Sequence, residues 1–410
     1  MTTHLALGTA IVNARSAAKV RHTSPFFSQD YSQSGPDLSI PRFFARLKDP
    51  RRAHRRLHQL QEIIVVALCA VIAGAQDWQQ IVTFGRNRLD WLRGFLELAN
   101  GIPSHDTFER VFDRLKPQAF QACFQDWVQA VSAALRIKHI AIDGKTLRGS
   151  GSAKLGPLHL VSAWASAQHL SLGQIAVDAK SNEITAIPAL LELLELNGAL
   201  VTIDAMGCQK AIAQKIVAKG GHYALTVKDN QEHLLEDIRQ VFRKAFDSNF
   251  ADMGHDVYRA HERGHGREEY RCYTVLHTTE GIRHADAWAN LTTIGLCYSE
   301  RTVKGETSTE VRYFIGDKKA GARYYADGLR HHWGIENNLH WQLDVNFGED
   351  GNRVQKRQAA ENLALLRRLT LSLLKAHPSK DSIARKRFAA ALDPGFLEEI
   401  LRGDGILENR

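Results

Sequence analysis

Lys-His-Ile-Ala-Ile-Asp-Gly-Lys-Thr-Leu-Arg, residues 138–148, breaks a chain that up to that point reads as helix. A short β-branched, apolar run closing on Asp143 predicts a strand over 138–143. A carboxylate at such a tip is costly unless a cation or hydrogen-bond donors meet it. Downstream, residues 158–164 and 173–177 read as two further strands with short joins, which favours antiparallel pairing. A helix over 184–196, a strand over 200–204 ending on Asp204, a helix over 209–218 stopped by Gly220-Gly221, and a strand over 223–227 complete the pattern. Strand–strand–strand–helix–strand–helix–strand predicts an α/β fold with a mixed sheet. Asp143 and Asp204 then fall at the carboxyl ends of separate strands, where open α/β sheets place their sites.

On the amino-terminal side, residues 38–135 read as entirely helical. Ile63, Ala67, Ala70, Val71 and Gly74 keep helical spacing. Ser104 is an N-cap for a helix that ends before Pro117. The Gly-Ile-Pro turn at 101–103 between helices resembles a helix-turn-helix only loosely, and a structural bundle reads equally well. On the other side, a helix over 233–246 and β-rich pieces at 269–276, 291–298 and 310–315 predict an inserted β-rich subdomain over about 229–320. Helices resume over 322–340 and 358–376. The expected organisation is a disordered extension over 1–37, a helical domain over 38–135, an α/β domain over 136–378 and a tail over 379–410.

The 410 residues include 53 Lys and Arg against 45 Asp and Glu, a formal net charge of +8. The excess is patchy. Arg42, Arg46, Lys48, Arg51, Arg52, Arg55 and Arg56 stand against Asp49 alone, and Arg353, Lys356, Arg357, Arg367 and Arg368 against Glu361. Such clusters read as polyanion-binding surfaces or as solvated helix faces. The 5 cysteines are scattered without CxxC spacing, which argues for a reducing compartment and against a disulfide or zinc framework. The apolar run 63–75 is about two-thirds of the length that spans a bilayer. No membrane partner is expected.

A third acid, Glu336, lies in His-Trp-Gly-Ile-Glu-Asn (332–337), inside a strongly helical stretch. Its neighbours at helical spacing are Leu329, His332, Trp333, Leu339, His340 and Leu343, which predicts a core-facing position. The plain reading is a buried glutamate satisfied by a histidine or by Arg330. A zinc site of His332, Glu336 and His340 fails on geometry, since eight helical residues rise about 12 Å. Asp344, Glu349 or Asp350 could instead supply the third carboxylate, but they flank a glycine turn and read more plainly as turn residues. Next to Asp143, Gly144 leaves room for a phosphate backbone that Lys145 and Arg148 would contact, although Asp-Gly is also a common turn dipeptide.

Four stretches in order, Ile-Asp-Gly-Lys-Thr-Leu-Arg-Gly-Ser (142–150), Lys-Ser-Asn-Glu-Ile-Thr-Ala-Ile-Pro (180–188), Val-Thr-Ile-Asp-Ala-Met-Gly-Cys-Gln (201–209) and His-Trp-Gly-Ile-Glu-Asn-Asn-Leu-His-Trp-Gln-Leu-Asp-Val (332–345), closely resemble the H-repeat-associated insertion-sequence transposases of the DDE transposase superfamily. The resemblance covers roughly residues 38–378, and Arg-Phe-Phe-Ala-Arg-Leu-Lys-Asp-Pro-Arg (42–51) looks like the start of that family's amino-terminal associated domain. It implies an RNase H-like core with Asp143, Asp204 and Glu336 as catalytic and metal-binding residues and Mg²⁺ or Mn²⁺ as cofactor. It further implies metal-dependent cleavage of DNA strands and their transfer to target DNA. Lys145, Arg148, Lys228 and Arg330, with Arg51, Arg52, Arg55 and Arg56 of the helical domain, are the expected DNA contacts. Double-stranded DNA, as element ends and target, is the expected partner, with a homodimer or larger assembly on it. The expected location is the bacterial cytoplasm, at the nucleoid when bound. Where many related transposases carry Tyr, Arg and Lys around the glutamate, this chain has Leu329, His332 and Leu343. Two other readings stay open: a decayed or domesticated DNA-binding protein, and an RNase H-like nuclease without strand transfer.

Overall fold

A computed structural model describes residues 40–151, 156–177, 182–251, 253–264 and 266–403. The extension expected over 1–37 lies outside these residues, as does the side chain of Arg55. Six helices come first: α1 (Ile40–Phe44), α2 (Leu60–Ile72), α3 (Trp78–Asn87), α4 (Leu89–Leu92), α5 (His105–Arg114) and α6 (Pro117–Ala134). Ser104 caps α5 as its position predicts, its hydroxyl accepting from the Thr107 amide. Then follow β1 (His139–Leu147), β2 (Leu158–Ala165), β3 (Leu170–Ala176), α7 (Glu183–Glu192), β4 (Leu200–Ile203), α8 (Lys210–Ala218) and β5 (His222–Val227). This is the predicted order.

The sheet is mixed. β1 pairs antiparallel with β2, and β2 with β3, while β1, β4 and β5 run parallel. After α9 (Glu232–Asp247) the chain adds β6 (His255–Gly264), β7 (Arg267–Leu276), β8 (Thr293–Val303) and β9 (Glu306–Gly316). These four do not form a sheet of their own. β9 pairs antiparallel with β5, giving one sheet ordered β3-β2-β1-β4-β5-β9-β8-β7-β6. β6 escapes sequence reading for a physical reason. It is the edge strand, mostly exposed on both faces, so no apolar alternation marks it. The chain then returns through α10 (Ala322–Ile335), α11 (Trp341–Phe347), α12 (Arg357–Ala376), α13 (Ile383–Leu392) and α14 (Pro394–Arg402).

Two helices hold the interior together. α2 is apolar all round and buried along nearly its whole length, packed on α3, α5, α12, α13 and α14. α12 lies between the sheet (β2 and β3) and the amino-terminal helices α2, α5 and α6. Asn362 of α12 donates to the carbonyls of Phe112 (2.8 Å) and Leu115 (2.9 Å) at the end of α5. The residues after 378, expected as a tail, instead form α13 and α14, and Arg387 donates to the Val71 carbonyl at the end of α2.

Burial also corrects the second basic cluster. Arg367 and Arg368 are enclosed rather than offered to a polyanion. Arg368 Nη1 lies 2.9 Å from Glu349 Oε1, with both side chains 0% exposed. Breaking such a pair leaves a charge alone in a poorly solvated interior. Glu349→Ala is therefore expected to lower the unfolding free energy by about 3–5 kcal/mol, with Glu349→Gln milder, as urea denaturation will measure.

Candidate active site

Register alone brings the first two acids together. β1 and β4 are parallel, and their last pair is Ile142 with Ile203. Asp143 and Asp204 are the next residues on the two strands, which lie about 4.8 Å apart as neighbours. β1 runs on to Leu147, so Asp143 sits in the middle of its strand but at the end of the parallel ladder. Asp204 leaves the ladder as the cap of a single helical turn, accepting from the amides of Met206 (3.1 Å) and Gly207 (3.4 Å). Its carboxylate is thereby aimed by backbone.

The third acid comes from a helix laid across these strands. α10 and α11 are joined without a break by a π-helical turn over Glu336–His340, where the Trp341 amide donates to the Glu336 carbonyl. Gly328 lets α10 approach closely, since a Cβ there would overlap Leu200 of β4. Polar contacts then step along the helix. His332 Nδ1 is 3.1 Å from Thr202 Oγ1, which also meets His139 Nε2 at 2.8 Å. His340 Nδ1 is 3.4 Å from Asp143 Oδ2, and Asp344 is 2.7 Å from Lys145 Nζ. The buried stripe of the helix is Ile335, Leu339, Leu343 and Phe347. Glu336, expected to face the core, stands one position off that stripe and is exposed.

Asp143, Asp204 and Glu336 line one cavity of about 570 Å³, together with Lys228, Arg330, His332 and Trp333. Arg267, Arg271, Arg301 and Arg312, interleaved with Glu269 and Glu310, extend the wall along β7, β8 and β9. These arginines were missed from sequence, although period-two alternation of Arg267, Glu269, Arg271 and Tyr273 marks one face of β7. Arg330 is also bonded to Glu262 at 2.7 Å.

Two expected DNA contacts are engaged elsewhere. Lys145, 8% exposed, is clamped between Asp344 and Asp350, so it ties β1 to the helix instead of facing the cavity. Arg51 is buried against Asp49 and the His58 carbonyl. Both cases have one cause: an acid nearby in space took the cation into the interior. Arg148 is exposed, 3.5 Å from Asp350, and lies outside the cavity wall. Arg52 and Arg56 are exposed. Asp344, Glu349 and Asp350, set aside as turn residues, act as partners of Lys145, Arg368 and Arg148.

Burial pushes the Asp143 carboxyl up to about 7. The Gly144 amide opposes the rise, and the charges of Asp204, Glu183 and Glu336 add to it. Asp204 is raised by burial and by Glu183, against the Gly207 and Met206 amides and Lys228. His340, beside Asp143, is held neutral by burial at about 3, and His332 at about 4. Among the described residues, then, no cation stands at the side of Asp143. Among the described residues no three His, Cys, Asp or Glu side chains stand close enough to hold an ion as they are. The donors are nonetheless of the right kind: hard carboxylate oxygens whose mutual repulsion a divalent cation would relieve.

Residues 135–373 match the family described as Transposase DDE domain, and residues 42–128 match the family described as DDE_Tnp_1-associated. "Putative transposase YncI" of Escherichia coli O157:H7 is 40% identical over 372 residues, covering 88% of this chain and 94% of that protein. "H repeat-associated putative transposase YhhI" of Escherichia coli strain K12 is 38% identical over 373 residues, covering 88% and 97%. A solved piggyBac transposase synaptic complex with hairpin DNA is 9% identical, with a TM-score of 0.39 over 90% of this chain and 78% of that one. At that level the likeness carries no argument. No helix among the described residues is long and apolar enough to cross a membrane.

The raised Asp143 carboxyl sets a pH dependence. In the unfolded chain it ionises near 3.8; in the folded protein it holds its proton to about 7. Metal-free stability from this group is full below pH 4 and is lost as pH rises to about 7. Asp143→Asn cannot ionise. It is expected to be more stable than the parent at pH 8, by up to about 4 kcal/mol, and close to it at pH 4. Thermal melting in EDTA at the two pH values checks the sign.

Proposed function

This chain belongs to the transposase DDE domain family, and from that premise we propose that it is an insertion-sequence transposase that cleaves DNA strands and joins the freed ends to target DNA. The observation that carries the proposal is the meeting of Asp143, Asp204 and Glu336, from two strands and a helix distant in sequence, in one cavity with a basic wall. The order β3-β2-β1-β4-β5, with its first three strands antiparallel and the rest parallel, supports an RNase H-like core. On this reading β6–β9 are its inserted portion, entered after β5 and left before α10.

Asp143, Asp204 and Glu336 hold Mg²⁺ or Mn²⁺ in this reading. When bound, the metal supplies Lewis acidity that activates water and stabilises the leaving 3′ oxygen. Lys228 and Arg330, at the cavity wall, take the phosphates on either side of the scissile bond. The Met206 and Gly207 amides keep Asp204 aimed while substrate exchanges. His332, neutral and bonded to Thr202, fixes the helix on the strands instead of contacting phosphate. The helical region over 38–135, with Arg52 and Arg56 exposed, binds duplex DNA at the element ends. Two ends handled at once make a dimer or larger assembly the working form on DNA.

Asp204→Asn keeps side-chain volume and removes the charge. The expected result is loss of Mg²⁺-dependent plasmid nicking by about 10³-fold or more, with duplex binding retained in a gel-shift assay. Unchanged nicking would remove Asp204 from the chemistry. Retained binding by a parent protein that itself never nicks would favour a DNA-binding protein without activity.

A further inference from the structure

Glu183 is a fourth acid beside the cavity that none of the family matches assigns. It is the first residue of α7, and its carboxylate is fixed by a relay. His159 Nε2 lies 2.7 Å from Glu183 Oε1, and His159 Nδ1 lies 2.8 Å from Thr146 Oγ1. The Glu183 carboxylate accepts from the ring N–H at Nε2, which holds one oxygen in place, while Thr146 steadies the ring at Nδ1. Thr146 is on β1 and His159 on β2, where the two residues are paired. The relay therefore grows out of the strand that carries Asp143.

Gly144 makes the arrangement possible. A Cβ at this position would overlap both the Glu183 carboxylate and the His159 ring, so only glycine lets the acid lie against β1 next to Asp143. Glu183 is close enough to act electrostatically on both Asp143 and Asp204. Among the described residues no lysine or arginine pairs with it, and the ionisable neighbour bonded to it is His159. An acid placed beside two others, without a cation of its own, costs stability unless something positive arrives. An outer histidine that orients a carboxylate is the arrangement that tunes a metal ligand.

We propose that Glu183, oriented by His159 and Thr146 over Gly144, is an additional carboxylate ligand to the divalent metal of the Asp143, Asp204 and Glu336 pocket. This rests on the reading of that pocket as a cation site. Glu183 stands just outside the cavity lining, against β1 at Gly144, from where its charge acts on Asp143 and Asp204. Its role is to raise metal affinity and to keep Asp143 and Asp204 from closing on each other. The glycine after Asp143 is then a requirement of the site more than a turn residue.

The test is metal binding by the full chain, read from the free Mn²⁺ signal in electron paramagnetic resonance without DNA. Glu183→Gln is expected to weaken Mn²⁺ binding by about 10-fold or more, and His159→Ala by about 10-fold, with melting in EDTA no lower than that of the parent for Glu183→Gln. Gly144→Ala, which displaces the carboxylate without removing it, is expected to weaken binding as well. Glu183→Gln binding Mn²⁺ as tightly as the parent, while Asp143→Asn does not, overturns the proposal and leaves the pocket standing. Asp143→Asn and Glu183→Gln both binding like the parent overturns the pocket as a cation site, and the proposal with it. Should Glu183→Gln melt early, the Gly144→Ala and His159→Ala titrations decide by the same criterion.

Discussion

The attachment of one helix to two parallel strands governs the rest of the molecule. Asp143 and Asp204 are neighbours by register, which the sheet supplies without further help. Glu336 is different, because its segment reaches the strands only after β6–β9 have been built. Its placement depends on side chains meeting rung by rung: His332 on Thr202, His340 on Asp143, Asp344 on Lys145. Each is a polar contact in a partly buried seam, where an unmet group would be expensive. The seam thus fixes the axial position of the helix far better than apolar packing of Ile335, Leu339 and Leu343 would, since leucines tolerate sliding.

Behind that seam the charges are arranged in layers. Arg368, buried with Glu349, also reaches Ser162, the residue paired with Asp143 on β2. α12 carries this arginine on one side and Asn362, bonded to the end of α5, on another. The amino-terminal helices, the sheet and the strand bearing Asp143 are therefore connected through α12, and α6 also touches the sheet directly at β3, where Gln125 donates to the Leu172 carbonyl. Force applied to the helical region on binding a large ligand would pass to the floor of the cavity through α12.

Much of this was legible in the sequence. The strand–helix order from 138 to 227 was readable because buried strands and amphipathic helices leave different periods, and Ser104 announced its helix by capping chemistry. The quoted motifs carried the family. What failed to read was which acid each cation would take as its partner. Lys145 and Arg51 look like free cations in a linear string, yet acids 199 and 2 positions away take them inside. Glu336 was misplaced on the helix face. The buried stripe through Ile335 and Leu339 runs alongside it, and apolar residues at three and four positions on both sides blur the choice of face. Arg367 and Arg368 sit in a segment that resembles a basic surface until Glu349 and the packing of α12 are known. Glu183 lay inside a quoted motif, but only the strand pairing that puts His159 opposite Thr146 shows why it matters.

The π-helical turn at Glu336–His340 has a consequence for how this gene can drift. Such a turn is an α-helix holding one residue too many. Deleting a single codon between Glu336 and His340 would let the backbone relax to an ordinary helix without any loss of helicity. The two halves would keep nearly the same faces, because the bulge has already absorbed the roughly 100° that one residue adds to an ordinary helix. A one-codon loss would therefore leave a well-folded helix still addressing the same strands, with only the turn that carries Glu336 reshaped.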